Sequence, residues 1–223
     1  MHAIITDGSI SKYINHPKPL VIGDVQYPAR IFSVWTASEL AAIGIIEVTF
    51  DDSNKKDETY YINTNQTYTY DADAGTVTAA YGNATPKAHA DVAEVWSQDE
   101  IDDGYAPDGT SADDPKNDDN GNQIITRGLK YNFIKNIKQQ AEGLLNQTDW
   151  YITRKAEKNT AIPDNVTTWR NGIRTKQAAM ETLITNASNT AAIETLYTYV
   201  NTADEGDPVV MARPLGVFPE LGS

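Results

Sequence analysis

Leu129-Lys130-Tyr131-Asn132-Phe133-Ile134-Lys135-Asn136-Ile137-Lys138-Gln139-Gln140-Ala141-Glu142-Gly143-Leu144-Leu145 decides the reading of the chain. Ile134, Ile137, Ala141 and Leu144 recur at 3-4-3 spacing, so they fall along one stripe of an α-helix, which Phe133 and Leu145 widen. Two packings suit such a stripe. It can lie inside one chain against the helices that follow, or form the seam of a short oligomeric bundle. With fewer than about three heptads, a seam of this length does not stand alone.

The helical zone extends on both sides, over residues 123–201. Pro163-Asp164 opens a second long helix carrying Val166, Trp169, Ile173, Met180, Leu183 and Ile184. Thr190 opens a third, with Ile193, Leu196, Tyr197 and Val200. Asp204-Glu205-Gly206-Asp207-Pro208 then breaks the pattern. Residues 202–223 read as an irregular C-terminal segment, either frayed or docked on another surface.

Upstream, residues 1–90 read as a β-rich domain with one short helix. Asp7-Gly8, between two alternating stretches, is a two-residue hairpin turn, because both central positions of a type I′ turn need positive φ. Thr36 and Glu39 form a capping box at the start of the helix, and Gly44 ends it. Ile45–Phe50 returns as a strand. Residues 60–70 and 77–81, rich in Thr, Tyr and Val, form a second β pair around Asp73-Ala74-Gly75. The fold class expected is therefore α+β: a small β-rich N-terminal domain, an acidic connector, and a C-terminal antiparallel helical hairpin or bundle.

The connector is residues 91–122. Of the chain's formal net charge of −13, residues 91–120 alone carry −10, with eleven acids against Lys116. Poor in apolar residues, it reads as a solvated loop or tether. From Gln123 to Met180 the balance reverses, with ten Lys and Arg against four Asp and Glu, so the basic half is suited to an acidic neighbour. An acidic chain repels phosphates overall, and no nucleic-acid partner is expected. No stretch is apolar enough for membrane insertion. Met1–Lys12 lacks the basic start and apolar core of a secretory signal, so the expected site of synthesis is the cytoplasm.

Chemistry is thinly supplied. Cys is absent and His2, His16 and His89 stand far apart, so no metal site and no cofactor are expected. Placing Gly121 sixth in a calcium loop puts Lys116 first and Arg127 twelfth, where oxygen ligands are required. The clustered acids lack the rigid cleft that a glycosidase pair needs. Trp150, Tyr151 and Trp169 suit sugar stacking, but serve equally as core or interface anchors. The chain reads as a non-enzyme.

Leu144-Leu145-Asn146-Gln147-Thr148-Asp149-Trp150-Tyr151-Ile152-Thr153-Arg154-Lys155-Ala156-Glu157, followed by Ala161-Ile162-Pro163 and Trp169-Arg170-Asn171-Gly172-Ile173-Arg174, resembles a segment of bacteriophage tail-fibre and tail-fibre-assembly proteins. Met1–Tyr13, Val25–Ala29 and Glu39–Ile45 resemble the start of such proteins. Trp169 stands where that family often has Tyr. The family supplies no catalytic residue. The resemblance implies a structural tail component, retained in the virion and partnered by other tail proteins, and a homo-oligomer, with a trimer as first guess. It also admits an assembly chaperone or a receptor-binding tail protein. Within the segment, Trp150 is expected to wedge between helices, and Arg170 and Arg174 to reach the preceding helix or its loop carbonyls. The candidate interface is thus Ile134, Ile137, Ala141, Leu144, Trp150, Trp169, Arg170 and Arg174.

Overall fold

The fold is α+β, seen in a computed structural model that describes residues 1–222. It comprises two compact units, residues 1–85 and 86–223.

In the first unit, strands β1 (His2–Thr6) and β2 (Ser9–Ile14) form the hairpin around Asp7-Gly8, whose φ values are 50° and 74°. Three-residue β3 (Leu20–Ile22) and β4 (Val25–Tyr27) arms pair around Gly23-Asp24. Two short helices follow rather than one, α1 (Ile31–Val34) and α2 (Ala37–Ala41). A single turn such as α1 has no room for periodicity, so the sequence does not announce it. At α2 the Thr36–Glu39 capping box is formed in both directions. Gly44 then sits at φ 77°, its carbonyl accepting from Ile5 N–H at 2.7 Å; a Cβ there would stand 2.8 Å from the Ile5 carbonyl oxygen.

Strand β5 (Ile45–Asp51) is the centre of a mixed five-stranded sheet. After the short β6 (Tyr61–Ile62), strands β7 (Gln66–Asp71) and β8 (Thr76–Tyr81) give the order β2-β1-β5-β8-β7. Only β5 and β8 run parallel. Alternation along β1 divides the core between two faces. Ile4 joins Ile14, Leu20, Ile31, Leu40 and Ile45, while Ala3 joins Val48, Val77 and Ala79.

In the second unit, the acidic stretch is a folded excursion rather than a bare tether. Following β9 (Thr85–Pro86), strand β10 (Val92–Ala93) pairs with β11 (Ile125–Thr126), closing the excursion at its base. Inside it, helix α3 (Gln98–Asp102) carries a capping box of Ser97 and Glu100. Lys116 is the one base among the acids and ties α3 to the rest of the excursion: Nζ lies 2.5 Å from Glu100 Oε1 and 4.8 Å from the Trp96 ring centre. The Lys116 ammonium, then the Ser97 N–H and hydroxyl, hold the Glu100 carboxyl down to about 2. Composition shows the charge of this segment but not its pairing.

Helix α4 (Leu129–Asn146) begins at Gly128, where a Cβ would meet the Ala90 carbonyl at 2.2 Å. Helices α5 (Asp149–Lys158), α6 (Asp164–Asn186) and α7 (Thr190–Tyr197) follow. Helix α6 runs antiparallel to α4: Arg170 meets the α4 C-terminal end at Leu145, and Lys130 near its start donates to the Thr185 carbonyl.

The C-terminal segment docks on its own chain. Strand β13 (Met211–Ala212) pairs with β12 (Val200–Asn201), and Leu215 is fully buried with Ile137, Met180 and Ile184. Phe218 packs against both helical clusters, and the Pro219 carbonyl accepts from Trp169 Nε1 at 2.9 Å. Of its neighbours, Val217 faces solvent while Phe218 joins the core. Leu215→Ala is expected to cost about 2–5 kcal/mol, the range for emptying a buried leucine site. Urea unfolding measures it, and an unchanged midpoint would mean that the segment does not hold the bundle.

Candidate functional site

The eight residues of the candidate interface do not share one surface. Ile137 and Ala141 are buried against α6 within one chain, Ile137 with Met180, Ile184 and Leu215, Ala141 with Trp169 and Ile173. Ile134 and Leu144, partly buried, pack against the same two clusters. The α4 stripe is therefore occupied by its own chain, and of the two packings open to it the intrachain one is realised. Trp169 is 6% exposed and belongs to this core.

Arg170 is the junction of the corner between α4, α5 and α6. Its side chain is 8% exposed. Nη1 donates to the Leu145 carbonyl at 2.8 Å and to the Thr148 hydroxyl at 2.7 Å. Asp149 Oδ1 lies 2.8 Å from the same nitrogen. Two protons on Nη1 serve the first two acceptors, so Asp149 contributes mainly through charge. Thr148 Oγ1 also donates back to the Leu145 carbonyl at 3.1 Å, which closes a small ring of polar groups. The Leu145 carbonyl near the end of α4 accepts from the Thr148 N–H at 3.1 Å and gains a cation carried on α6 as a further partner. Thr148 is 2% exposed, so its hydroxyl depends on these partners.

Arg174, one turn further, does not join this node. It lines an open groove of about 670 Å³ with Leu145, Gln177 and Glu181.

Trp150 departs from its expected place between helices. It is 52% exposed, and α5 contributes no buried side chain at all. The reason lies in Asp149 and Thr148: once these face Arg170, the next residue of the helix is turned by about 100° away from the corner. Trp150 stacks instead on Tyr151, ring centres 3.7 Å apart. The Arg154 guanidinium lies over both rings, 4.8 Å and 5.0 Å from their centres. Residues 150, 151, 154, 155 and 158 share one side of a helix, so Lys155 and Lys158 extend the same face. The helical spacing of these bases was present in the sequence; their joint exposure depends on the Arg170 corner.

Among the described residues, no group of three or more His, Cys, Asp or Glu stands close enough to hold a metal ion. No helix among them is long and apolar enough to cross a membrane. The His2 imidazole is held below its usual range by burial, and then by the nearby N-terminal ammonium.

Compared with protein-family models, with curated proteins and with solved structures, the chain finds no match.

The two tryptophans of the helical unit are expected to behave oppositely. Trp169→Ala removes a buried indole and is expected to cost about 3–5 kcal/mol, whereas Trp150→Ala is expected to stay within about 1 kcal/mol of the parent. Denaturant midpoints of the two variants check this, and equal losses would return Trp150 to the core.

Proposed function

We propose that this chain is a non-enzymatic structural component of a bacteriophage tail, a tail-fibre or fibre/baseplate attachment protein acting in virion assembly and host adsorption. One observation carries the reading. The residues that give the segment its resemblance to tail-fibre proteins divide into a scaffold and a display. Leu145, Thr148, Asp149 and Arg170 join three helices at one polar node. Trp150, from the same segment, is exposed, with the half-buried Tyr151 and Arg154 stacked against it as an aromatic and cationic surface.

Such a division suits a protein whose work is to be held by other proteins. Aromatics and arginine are the side chains that most often dominate protein interfaces, because they bring large contact area and directed hydrogen bonds with few torsions to freeze. The partners proposed are other tail proteins and further copies of this chain. The protein is made in the host cytoplasm and stays in the virion.

Mass spectrometry of purified particles, with copy number referred to the major capsid protein, tests the assignment. Stoichiometric presence is the expected result. Absence from particles, together with clear expression during infection, would overturn it and make the chain an assembly chaperone.

A further inference from the structure

Two surfaces of the second unit carry opposite charge and are not joined to each other within one chain. The first is the outward face of α5. Trp150, Tyr151, Arg154, Lys155 and Lys158 lie within about 140° of arc on the helix, at 100° per residue. Both acids of this helix, Asp149 and Glu157, fall outside that arc, and Asp149 is engaged by Arg170. Arg154 Nε is buried and, among the described residues, has no hydrogen-bond partner, while the guanidinium lies over the two rings beneath it. A guanidinium held flat on aromatic rings keeps its remaining N–H donors aligned for a carboxylate. This face therefore has the chemistry to receive carboxylates, and an aromatic floor to bury against a partner.

The second surface is the acidic excursion. Asp99, Asp102, Asp103 and Asp108 are all exposed on and after α3, and among the described residues no Lys or Arg lies within ion-pair distance of them. Tyr105, between them, is 72% exposed. Lys116 and Ser97 fix α3 through Glu100, so these carboxylates sit on a folded platform.

We propose that the basic aromatic face of α5 docks on the acidic α3 platform of a second copy of this chain. Complementary charge selects this occupant: the partner surface demanded by Trp150, Tyr151 and Arg154 is carboxylates beside an exposed aromatic, and the chain itself displays that surface. Because the two surfaces differ, the contact is heterologous, and repeated copies close into a ring or extend into a chain. The inference deepens the oligomer part of the proposed function, naming the contact that joins copies. Its test uses purified full-length protein, so its failure leaves the particle assay untouched.

Sedimentation velocity of the full chain at about 50 mM and about 500 mM sodium chloride provides the first measurement, since exposed charge pairs are strongly screened over that range. Association at low salt that collapses to monomer at high salt is expected. Arg154→Glu/Lys155→Glu/Lys158→Glu and, separately, Asp99→Lys/Asp102→Lys/Asp103→Lys are each expected to weaken self-association at least about tenfold. Mixed together, the two variants present two pairs of oppositely charged surfaces, the parent pair and its reverse, and are expected to regain association that neither shows alone. Circular dichroism checks that each is folded. Should the Glu triple fail that check, Arg154→Gln/Lys155→Gln/Lys158→Gln, which spares the helix C-terminus three acids, takes its place. A wild-type chain that stays monomeric at low salt, association indifferent to salt, or undiminished association of the folded α5 variant would each overturn the proposal.

Discussion

The second unit depends on one buried cation. Arg170 reaches from α6 to the Leu145 carbonyl near the end of α4, and to Thr148 and Asp149 where α5 begins, and the course of the chain beyond the corner follows from that reach. A helix end buried without partners is costly, since its free carbonyls lose water and gain nothing. A guanidinium suits the place because it stays charged and offers several donors in a fixed plane. The node sets the direction in which α5 leaves, and that direction puts Trp150 on the outside with Tyr151 and Arg154 half-buried beside it.

Around this corner, the packing is of an ordinary kind. The α4 stripe fills against Trp169, Ile173, Met180 and Ile184, and Leu215 and Phe218 of the C-terminal segment cover what the helices leave open. In the first unit the sheet takes a different solution, sharing β1 between two small cores by simple alternation of Ala3 and Ile4. Neither arrangement needs a disulfide, as the chain has no Cys.

What was legible in the sequence was local. The Asp7-Gly8 turn, the Thr36–Glu39 box, the stripe through Ile137 and Ala141, and the restart at Pro163-Asp164 each follow from residues within a few positions of one another. What was not legible needs partners far away in the chain. Lys116 organises the acidic excursion through Glu100, sixteen positions earlier, and Trp169 meets Pro219, fifty positions later. For the candidate interface the same division holds. Arg170 was identifiable as a residue able to reach loop carbonyls, but the outward turn of Trp150 was not, because a tryptophan beside a helix end is equally at home inside or outside. The α5 face shows in the spacing of 150, 154 and 158 only once the helix is known to send no side chain fully into the core.

The central claim is that Arg170 couples α6 to the α4–α5 turn through specific hydrogen bonds and is more than a bulky filler of the corner. A double-mutant cycle on the stability of Arg170→Met and Thr148→Val, each alone and combined, tests it most directly. The account predicts a coupling energy of about 1–2 kcal/mol, because either single change removes the same buried, charge-assisted Arg170–Thr148 hydrogen bond. Strictly additive losses would contradict it, and would leave the position of α5 without the interaction on which this account of the molecule rests.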